Sequence, residues 1–529
     1  MHTTEQAMHM DREKLLKTAA SREDEWDVIV IGGGATGLGA ALEAASRDYD
    51  TLLLEQHDFA KGTSSRSTKL VHGGVRYLQQ GNVRLVREAL RERGLLHRNA
   101  PHLVHNLSFI VPIYDWWEGP FYGIGLKIYD KMAGRLGLGT SRYLSREETL
   151  EHIPTLEPEG LDGGVIYHDA QFDDARLAVN LLQTLHEQGG TGLNYMEVTG
   201  LLKEDGVVRG VRALDHESGR DYEFHAKVTV NATGIFTDTI RRMDNPQATP
   251  MIRTSQGVHL VLDDSFQPGE SAIMVPRTSD GRVLFAVPWY GRILVGTTDT
   301  PVEGPSLEPR ALKEEVEFLL SHAAQYLTRD PGPGDVLSVF AGIRPLVSEG
   351  DDEDTSAISR DHTLISSPSG LVTITGGKWT TYRLMGEDTI DEAERIGNLE
   401  GRRSVSEGLK IHGWMHPDTV DLEAPYAEYG SDAQALRQLA SRHVWGEPLH
   451  PSLPYTAAHV VWAVRQEMAR SVEDVLARRT RALVLDARAS MEMADEVAAL
   501  LAAELGRTAD WAEAQAQSYR KLAGEYLLV

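Results

Sequence analysis

The sequence predicts a chain in three parts: an α/β domain on a parallel sheet, an α+β domain on an antiparallel sheet, and a helical C-terminal domain. Three observations lead to this prediction. A glycine-rich turn near residue 32 lies between two short apolar runs. Apolar segments separated by polar turns fill residues 250–300, and the apolar pattern after about residue 405 has helical spacing. Each pattern is typical of one of the three architectures.

The first apolar run, Val28–Ile31, predicts a buried parallel strand, and Thr51–Glu55 predicts its neighbour. The connection reads Gly32-x-Gly34-x-x-Gly37 and then turns alanine-rich, so a helix begins there. The first glycine permits a tight turn, the second lets the backbone approach a pyrophosphate, and the third lets the helix pack on the strand. This unit predicts a Rossmann-like dinucleotide site.

Glu55 ends the second predicted strand, where a carboxylate accepts hydrogen bonds from ribose hydroxyls. The same charge would repel a 2′-phosphate, which argues against NADP. Glycine-containing elements far downstream, at Asn231–Gly234 and Gly376–Thr380, favour FAD over NAD.

Further elements follow in order. Asp173–Gly190 predicts a helix, Val228–Asn231 a strand, and Leu371 begins a buried strand that leads into a glycine turn and a helix. In the C-terminal part, helical spacing predicts one helix through Val461, Val464, Met468, Val472 and Val475. A second helix ends at Gly506.

These elements, together with the family resemblance described below, imply four regions. The boundaries are an N-terminal extension (1–24), an FAD-binding domain (25–100 with 160–245 and 335–400), a substrate-binding and membrane-facing domain (101–159 with 246–334), and a helical C-terminal domain (405–529).

Composition excludes several classes of function. The 529 residues carry 53 Lys and Arg against 78 Asp and Glu, a net charge of −25, which argues against nonspecific nucleic-acid binding. There is no cysteine, so disulfides, thiolate nucleophiles and thiolate metal sites are excluded; we predict no metal site. The first 24 residues lack the apolar run of a signal peptide, and no apolar stretch is long enough to span a bilayer.

One segment departs from the acidic background. Ser64–Tyr77 reads SSRSTKLVHGGVRY and contains four basic or imidazole side chains without a carboxylate. Such a segment predicts contact with an anion.

The stretch Glu55–Leu78, EQHDFAKGTSSRSTKLVHGGVRYL, resembles the FAD-dependent glycerol-3-phosphate dehydrogenases. Other elements come in the order of that family: DDARL at Asp173, NATG at Asn231, GVH at Gly257, GTTD at Gly296, GIRPL at Gly342, SRDHTL at Ser359, GGKWTTYR at Gly376 and VRQEMARSVEDVLARRTR at Val464. The resemblance covers about residues 25–525. Trp379 stands where a smaller apolar residue is common, which would alter packing near the flavin.

The resemblance implies an amino-acid-oxidase-like flavoprotein fold. It also implies oxidation of sn-glycerol 3-phosphate to dihydroxyacetone phosphate, with electrons passed to a membrane quinone. A homodimer is a further implication of the family.

The substrate phosphate would carry a charge of about −1.5 to −2, and arginine forks bind such oxyanions bidentately. The motif positions offer Arg76, Arg344, Arg360 and Lys378 for this role, with a hydroxyl from Tyr77.

Oxidation of the alcohol sends a hydride to the flavin and a proton to a base. His259 is the first candidate for the base and would also contact the substrate, His72 and Lys378 are alternatives, and Arg344 would polarise the same oxygen.

The cofactor is expected to meet two kinds of group. Thr63, Ser64, Ser67, Thr68 and Lys69 would supply hydroxyls and a cation, with His72 beside them. The backbone would pass close to it at Gly73, Ala232, Gly234, Gly376, Gly377 and Thr380. Lys378 would stabilise the reduced, anionic flavin. Asp299 is expected to fix a turn rather than to take part in chemistry.

Aromatic residues beside lysines occur between Phe109 and Lys131: Tyr114, Trp116, Trp117, Phe121, Tyr122 and Tyr129, with Lys127 and Lys131. They suit either a lipid interface or the packed edge of the substrate domain. With the resemblance, this segment predicts a cytoplasmic protein bound peripherally to the inner face of the cell membrane.

Three other functions stay open. A glycerol-3-phosphate oxidase would pass electrons to oxygen, but such enzymes usually carry an insertion that this sequence lacks. A flavin oxidase of amino or hydroxy acids needs only one arginine for its carboxylate, whereas four cations occur here. A flavin-binding sensor without catalysis is the third.

Overall fold

A computed structural model describes residues 10–75, 82–115, 118–276, 278, 282–347, 361–420 and 425–528. Two large sheets form its framework. The described strands are β1 (Trp26–Ile31), β2 (Thr51–Leu54), β3 (Leu70–Val71), β4 (Val104–Ile113), β5 (Arg142–Ser145), β6 (Gly163–Phe172), β7 (Thr191–Leu193), β8 (Met196–Glu204), β9 (Val207–Asp215), β10 (Arg220–Asn231), β11 (Ile252–Asp263), β12 (Ala272–Val275), β13 (Leu284–Trp289), β14 (Arg292–Gly296), β15 (Thr300–Pro301), β16 (Val336–Val347), β17 (His362–Ser366), β18 (Leu371–Gly376), β19 (Pro448–His450) and β20 (Leu453–Thr456).

Helices cover the sheets and form most of the C-terminal region. Those described are α1 (Arg12–Ala20), α2 (Ala35–Ser46), α3 (Val83–Asn99), α4 (Glu118–Ala133), α5 (Arg146–His152), α6 (Asp174–Glu187), α7 (Thr237–Asp244), α8 (Lys313–Ala324), α9 (Tyr382–Gly397), α10 (Ala433–Ala440), α11 (Ala457–Glu467), α12 (Ala482–Leu485), α13 (Ala487–Glu492), α14 (Ala494–Leu505) and α15 (Ala509–Gly524). None of these described helices combines the length and apolar character that a membrane span requires.

The first sheet has the order β17-β18-β10-β1-β2-β7, with β8 and β9 attached through β10. Its central pairs are parallel, and the register places Ile31 beside both Leu54 and Asn231. The carboxyl ends of these strands therefore meet at one edge, which is where ligands bind in open α/β sheets. The predicted βαβ unit is confirmed.

Both faces of this sheet are covered, which explains its continuous apolar strands. Val28 and Val30 face a core formed with α2, α6 and α9, whereas Ile29 and Ile31 face a core formed with β8, β9 and α1. Helices α2 and α9 touch through glycines, because a Cβ on Gly39 would lie 2.6 Å from the carbonyl oxygen of Tyr382. The N-terminal helix is held by Arg12, whose buried guanidinium donates to Asp215 over 2.7 Å.

The second sheet has the order β15-β11-β14-β13-β12-β4-β6-β3, with β16 on β11 and β5 on β6. Among the described pairs only β4 with β12 is parallel. Strands β6 and β16 belong here, although the sequence placed residues 163–172 and 336–347 in the FAD-binding domain. The structure differs because β6 pairs with β4 along ten residues and β16 pairs with β11 along most of its length. Local sequence does not reveal these distant pairings.

In the described part of the C-terminal region the regular elements are helices apart from the short pair β19 and β20. The single helix expected through residues 461–475 is broken, since α11 ends at Glu467 and Met468 takes a left-handed backbone with φ 57°. The Asp474 carboxylate accepts from the backbone N–H groups of Arg470 and Ser471 and stabilises the turn that follows. A π-helical turn, Asp474–Arg479, comes next. Gly506 ends α14 as predicted.

His412 joins the end of α6 to the C-terminal region. Its Nδ1 lies 2.5 Å from Glu187 Oε1, and its Nε2 lies 2.8 Å from Asp432 Oδ2. Burial alone would lower the pKa of this imidazole, but the two carboxylates outweigh burial and raise the pKa to about 9. The folded pKa thus lies above the unfolded value of about 6.5. The protonated form therefore stabilises the fold fully below about pH 6.5, and this contribution is lost as the pH rises through 9.

We expect the stability difference between the wild type and His412→Gln to depend on pH. Below pH 6.5 the wild type should be more stable by about 1–3 kcal/mol, and the difference should shrink steadily up to pH 9. Urea unfolding of both proteins at several pH values measures it. A difference that stays constant over this range would contradict the assignment.

Candidate active site

A cavity of about 700 Å³ lies between the carboxyl edge of the first sheet and the second sheet. Residues after β1, β2, β10 and β18 line one part, and residues of β11, β13 and β16 line another. A volume of several hundred cubic ångströms suits an organic cofactor with a small substrate.

The turn after β1 brings the backbone and the N-terminus of α2 to this cavity. Gly32 has φ +108°, and a Cβ there would lie 2.6 Å from the Ala232 carbonyl oxygen. At Gly37 a Cβ would lie 1.8 Å from the Gly32 carbonyl oxygen, so the helix can approach the turn only with glycine. Gly34 lines the cavity at the N-cap of α2, where backbone N–H groups and the helix dipole favour an anion.

Glu55 follows β2 and also lines the cavity. Its Oε2 accepts from the Gly33 N–H over 2.6 Å and its Oε1 accepts from the His57 N–H over 2.9 Å. Burial raises the pKa of this carboxyl, and the two N–H donors oppose that rise. Each oxygen keeps a second lone pair, so the carboxylate can still accept ribose hydroxyls.

The segment after Glu55 connects the two sheets. Ser64 Oγ accepts from the Ala35 N–H over 2.9 Å at the start of α2, and Thr63 Oγ1 donates to the Ile343 carbonyl over 2.6 Å on β16. Thr63, Ser64, Ser67 and Thr68 line the cavity. Trp379, unusual for its position, donates from its indole N–H to the Ser64 carbonyl over 2.9 Å.

Two residues expected at the cofactor lie elsewhere. The Lys69 side chain is fully buried outside the cavity lining, and its Nζ donates to Asp174 over 2.7 Å and to the Ser65 carbonyl over 2.8 Å. A Cβ on Gly73 would meet Leu90 and Tyr129, so this glycine permits packing by α3 and α4 rather than close approach to a cofactor. Lys69 and Gly73 flank the two-residue strand β3. Side chains alternate along a strand, so Leu70 and His72 face the cavity whereas Lys69 and Gly73 face away from it, which the sequence did not reveal.

The other backbone positions do surround the cavity. Its lining includes Ala232, Gly234, Gly376, Gly377, Lys378 and Thr380, together with His72 and Gly74. The Thr380 hydroxyl lies 3.3 Å from the His72 backbone nitrogen and 3.4 Å from its carbonyl oxygen. The glycine turn after β18 is thereby joined to the segment around residue 72.

On the second sheet, His259 of β11 lines the cavity. Its Nε2 lies 2.9 Å from Thr68 Oγ1, and its ring stacks on Phe340 at 4.9 Å. Burial, followed by the charges of Lys69 and Arg344, lowers the pKa of this imidazole to about 3. The side chain is therefore neutral at physiological pH.

Arg344 of β16 lines the same part of the cavity. Its Nη1 lies 3.3 Å from Asp299 Oδ1, and its Nη2 donates to the Thr298 carbonyl over 3.0 Å. Asp299, expected only to fix a turn, thus also orients this guanidinium.

Glycines opposite these side chains make room for them. A Cβ on Gly257 would lie 2.3 Å from Arg344 Nη2, and a Cβ on Gly296 would lie 2.2 Å from the His259 ring. Across β11 the register pairs His259 with Gly296. The glycines of the GVH and GTTD motifs are therefore required by side chains on neighbouring strands, a role that the sequence alone does not show.

Three predicted substrate contacts, Arg76, Tyr77 and Arg360, lie outside the described residues. The structure adds two arginines to the lining, Arg66 and Arg282, which were not predicted. Arg66 already donates to Glu308 over 2.7 Å. Its place in the basic segment was a usable signal, whereas no sequence motif marks Arg282.

The residues present fit FAD. The helix N-terminus, the Glu55 carboxylate and the side-chain-free turn at Gly32–Gly34 form a cradle for a dinucleotide, and the cavity continues to His259 and Arg344.

Comparisons with known proteins agree. The FAD dependent oxidoreductase family model matches residues 27–389, and the model for the C-terminal domain of alpha-glycerophosphate oxidase matches residues 396–515. The mitochondrial glycerol-3-phosphate dehydrogenase of Mus musculus is 40% identical over 537 residues, covering 95% of this chain and 73% of that protein. The chain belongs to the FAD-dependent glycerol-3-phosphate dehydrogenase family. The mitochondrial relative from Arabidopsis thaliana is also 40% identical, covering 92% of this chain and 84% of that protein.

Solved structures of the family and its fold extend this result. The glycerol-3-phosphate dehydrogenase of Bacillus halodurans, complexed with FAD, is 29% identical with a TM-score of 0.78 over 97% of each chain. An L-alpha-glycerophosphate oxidase of Mycoplasma pneumoniae, with FAD bound, is 18% identical over 74% of this chain and all of that one, with a TM-score of 0.57, and so shares the fold. The predicted fold class and the FAD cofactor are confirmed.

Proposed function

We propose that this protein oxidises sn-glycerol 3-phosphate to dihydroxyacetone phosphate. One observation carries the proposal: a single cavity joins the dinucleotide-binding edge of the first sheet to Arg344 and His259 of the second sheet. The names of the relatives point to the same substrate. When bound, FAD supplies the acceptor for the hydride that leaves carbon 2 of the substrate.

Arg344 is the proposed phosphate contact. Its guanidinium is held by Asp299 and the Thr298 carbonyl, which fix its orientation before substrate binds. Lys378 lines the cavity from the first sheet and adds positive charge to the same space. The pairing with Asp299 reduces the net charge at Arg344, so Lys378 and the family-motif residues Arg76 and Arg360 are needed to balance a phosphate.

His259 is the proposed base. A neutral imidazole has a lone pair to accept the hydroxyl proton, and the low pKa keeps it neutral in the free enzyme. Nε2 faces Thr68, whereas Nδ1 makes no hydrogen bond within the described part of the chain. Developing positive charge on the ring would be offset by the dianionic substrate. His72 and Lys378, which also line the cavity, are the alternative bases.

A membrane quinone is the proposed final acceptor, with the protein bound to the inner face of the cell membrane. Leu85, Phe109, Met274, Val283 and Phe285 give part of the cavity an apolar lining that suits a hydrophobic acceptor.

Helix α4 is the proposed membrane contact. Ile124 is 63% exposed and Ile128 is 47% exposed, and Lys127 and Lys131 are exposed beside them. Tyr122 and Tyr129 are buried and pack inward, so they do not form part of the proposed membrane contact. The exposed apolar side chains of that contact are Ile124 and Ile128. Trp116 and Trp117 lie outside the described residues.

Anaerobic addition of glycerol 3-phosphate should bleach the visible absorption of the bound flavin. Glycerol lacks the phosphate and lactate presents a carboxylate, so neither should reduce it at comparable concentration. Reduction by lactate but not by glycerol 3-phosphate would contradict the proposed substrate. Rapid peroxide formation in stoichiometric amount under air, with no turnover of a quinone, would favour the oxidase instead.

Replacing Arg344 should weaken substrate binding. Arg344→Met should raise KM by about 10–100-fold, the cost of a lost charged hydrogen bond. Gly257→Ala should also raise KM although it keeps every charge, because the new methyl group displaces the guanidinium. Steady-state kinetics measures both.

Arg292→Met is the matched control for Arg344→Met. Arg292 lies on β14 with a similar side-chain exposure, 17% against 19%, and does not line the cavity. Equal KM values for Arg344→Met and the wild type would remove Arg344 from the phosphate site.

A further inference from the structure

The side of the cofactor segment that faces away from the cavity contacts the C-terminal region. We call residues 55–69 the cofactor loop. Its side chains Thr63, Ser64 and Thr68 line the cavity, whereas Asp58 and Lys69 point to the opposite side. Among the described lining residues none lies beyond Thr380. The C-terminal region therefore lies outside the described lining, and this loop is one of the segments that join it to the cavity.

Asp58 is the first contact. It is completely buried and accepts from Arg478 Nε over 2.5 Å and from Arg479 Nη1 and Nη2 over 2.7 and 2.8 Å. Burial would raise the pKa of Asp58, but the two guanidinium groups lower it well below its usual value. Both arginines belong to the π-helical turn Asp474–Arg479. The cofactor loop is thus tied to that turn by a buried ion cluster.

Arg481 is the second contact, and it joins the cavity-lining part of the loop. Its Nη2 donates to the Ser65 carbonyl over 2.9 Å and to Asp174 Oδ1 over 3.0 Å. Lys69 donates to the same Ser65 carbonyl and to the other oxygen of Asp174. One cation from the loop and one from the C-terminal region therefore share two acceptors.

The backbone of Lys69 and of Arg481 takes a conformation that these residue types disfavour on their own. Lys69 and Arg481 both have φ +63°, a left-handed conformation that residues with side chains rarely adopt. Such conformations persist where the surrounding contacts determine them. The shared acceptors Ser65 and Asp174 are those contacts.

We propose that Arg481 is a positioning residue for FAD, through which the C-terminal region holds the cofactor loop in its binding conformation. Ser65 lies between Ser64 and Arg66, which both line the cavity. Because Arg481 holds the Ser65 carbonyl, it also fixes the neighbouring Ser64, whose hydroxyl contacts the start of α2. Thr68, which contacts His259, directly precedes Lys69. Loss of Arg481 should therefore loosen the loop at both ends of its cavity-lining part.

The test measures FAD retention in the full chain. Arg481→Met should release FAD at least about tenfold faster than the wild type, because a buried charged contact is lost. The rise of flavin fluorescence after dilution follows the release. Arg470→Met is the matched control, since Arg470 makes a bidentate ion pair between the C-terminal region and Glu217 without touching the loop.

Arg470→Met should lower the melting temperature and leave FAD release within about twofold of the wild type. Equal acceleration in both variants would mean that general loosening of the C-terminal region explains the effect, and would overturn the proposal. Unchanged release in Arg481→Met would overturn it too.

If Arg481→Met does not fold, Arg481→Lys decides the question. A lysine keeps the charge, but its side chain ends one atom short of the Nη2 position that reaches Ser65 and Asp174, and it lacks the Nη1 that donates to the Ala477 carbonyl over 2.8 Å. Release at a rate clearly above that of the wild type supports the proposal, and a wild-type rate contradicts it.

Discussion

The buried carboxylate of Asp174 is the interaction on which the rest of the site depends. It accepts from the Ser67 N–H and hydroxyl over 3.0 and 2.7 Å, from Lys69 over 2.7 Å and from Arg481 over 3.0 Å. Burial would raise the pKa of Asp174, but Lys69 and Arg481 lower it, so the group is ionised. A buried charge is costly unless it is paired and hydrogen-bonded, and these four donors meet that requirement. Because Asp174 follows β6 and begins α6, it connects the second sheet, the helical layer, the cofactor loop and the C-terminal region.

From this anchor the two functions of the cavity are linked. The loop carries Ser64 to the start of α2 on one side and Thr68 to His259 on the other. The end of the cavity at α2 and the end at His259 therefore share one segment of chain. On the second sheet the side chains are closely packed, because Arg344 and His259 each lie over a glycine of an adjacent strand. A change at any of these positions is expected to affect both binding and chemistry.

Much of this arrangement could be predicted from the sequence. The βαβ unit is encoded locally, so Gly32, Gly37 and Glu55 were recognisable from their spacing, and the family motifs identified His259 and Arg344. The predictions that failed concern contacts between residues far apart in the chain. Lys69 meets Asp174 across 105 residues of chain, and Arg481 meets it across 307. The pairing of β6 with β4 and of β16 with β11 also joins residues far apart in the chain, so the predicted domain ranges do not reveal it. The break at Met468 escaped detection because the residues around it keep helical spacing and burial.

We propose that one cavity brings carbon 2 of glycerol 3-phosphate to the flavin for hydride transfer. Stopped-flow reduction of the bound flavin with substrate deuterated at carbon 2 tests this directly. We expect deuteration to slow flavin reduction severalfold, and His259→Gln to slow it further while an isotope effect remains. Reduction at equal rates with both isotopologues, at saturating substrate and with chemistry rate-limiting, would contradict it.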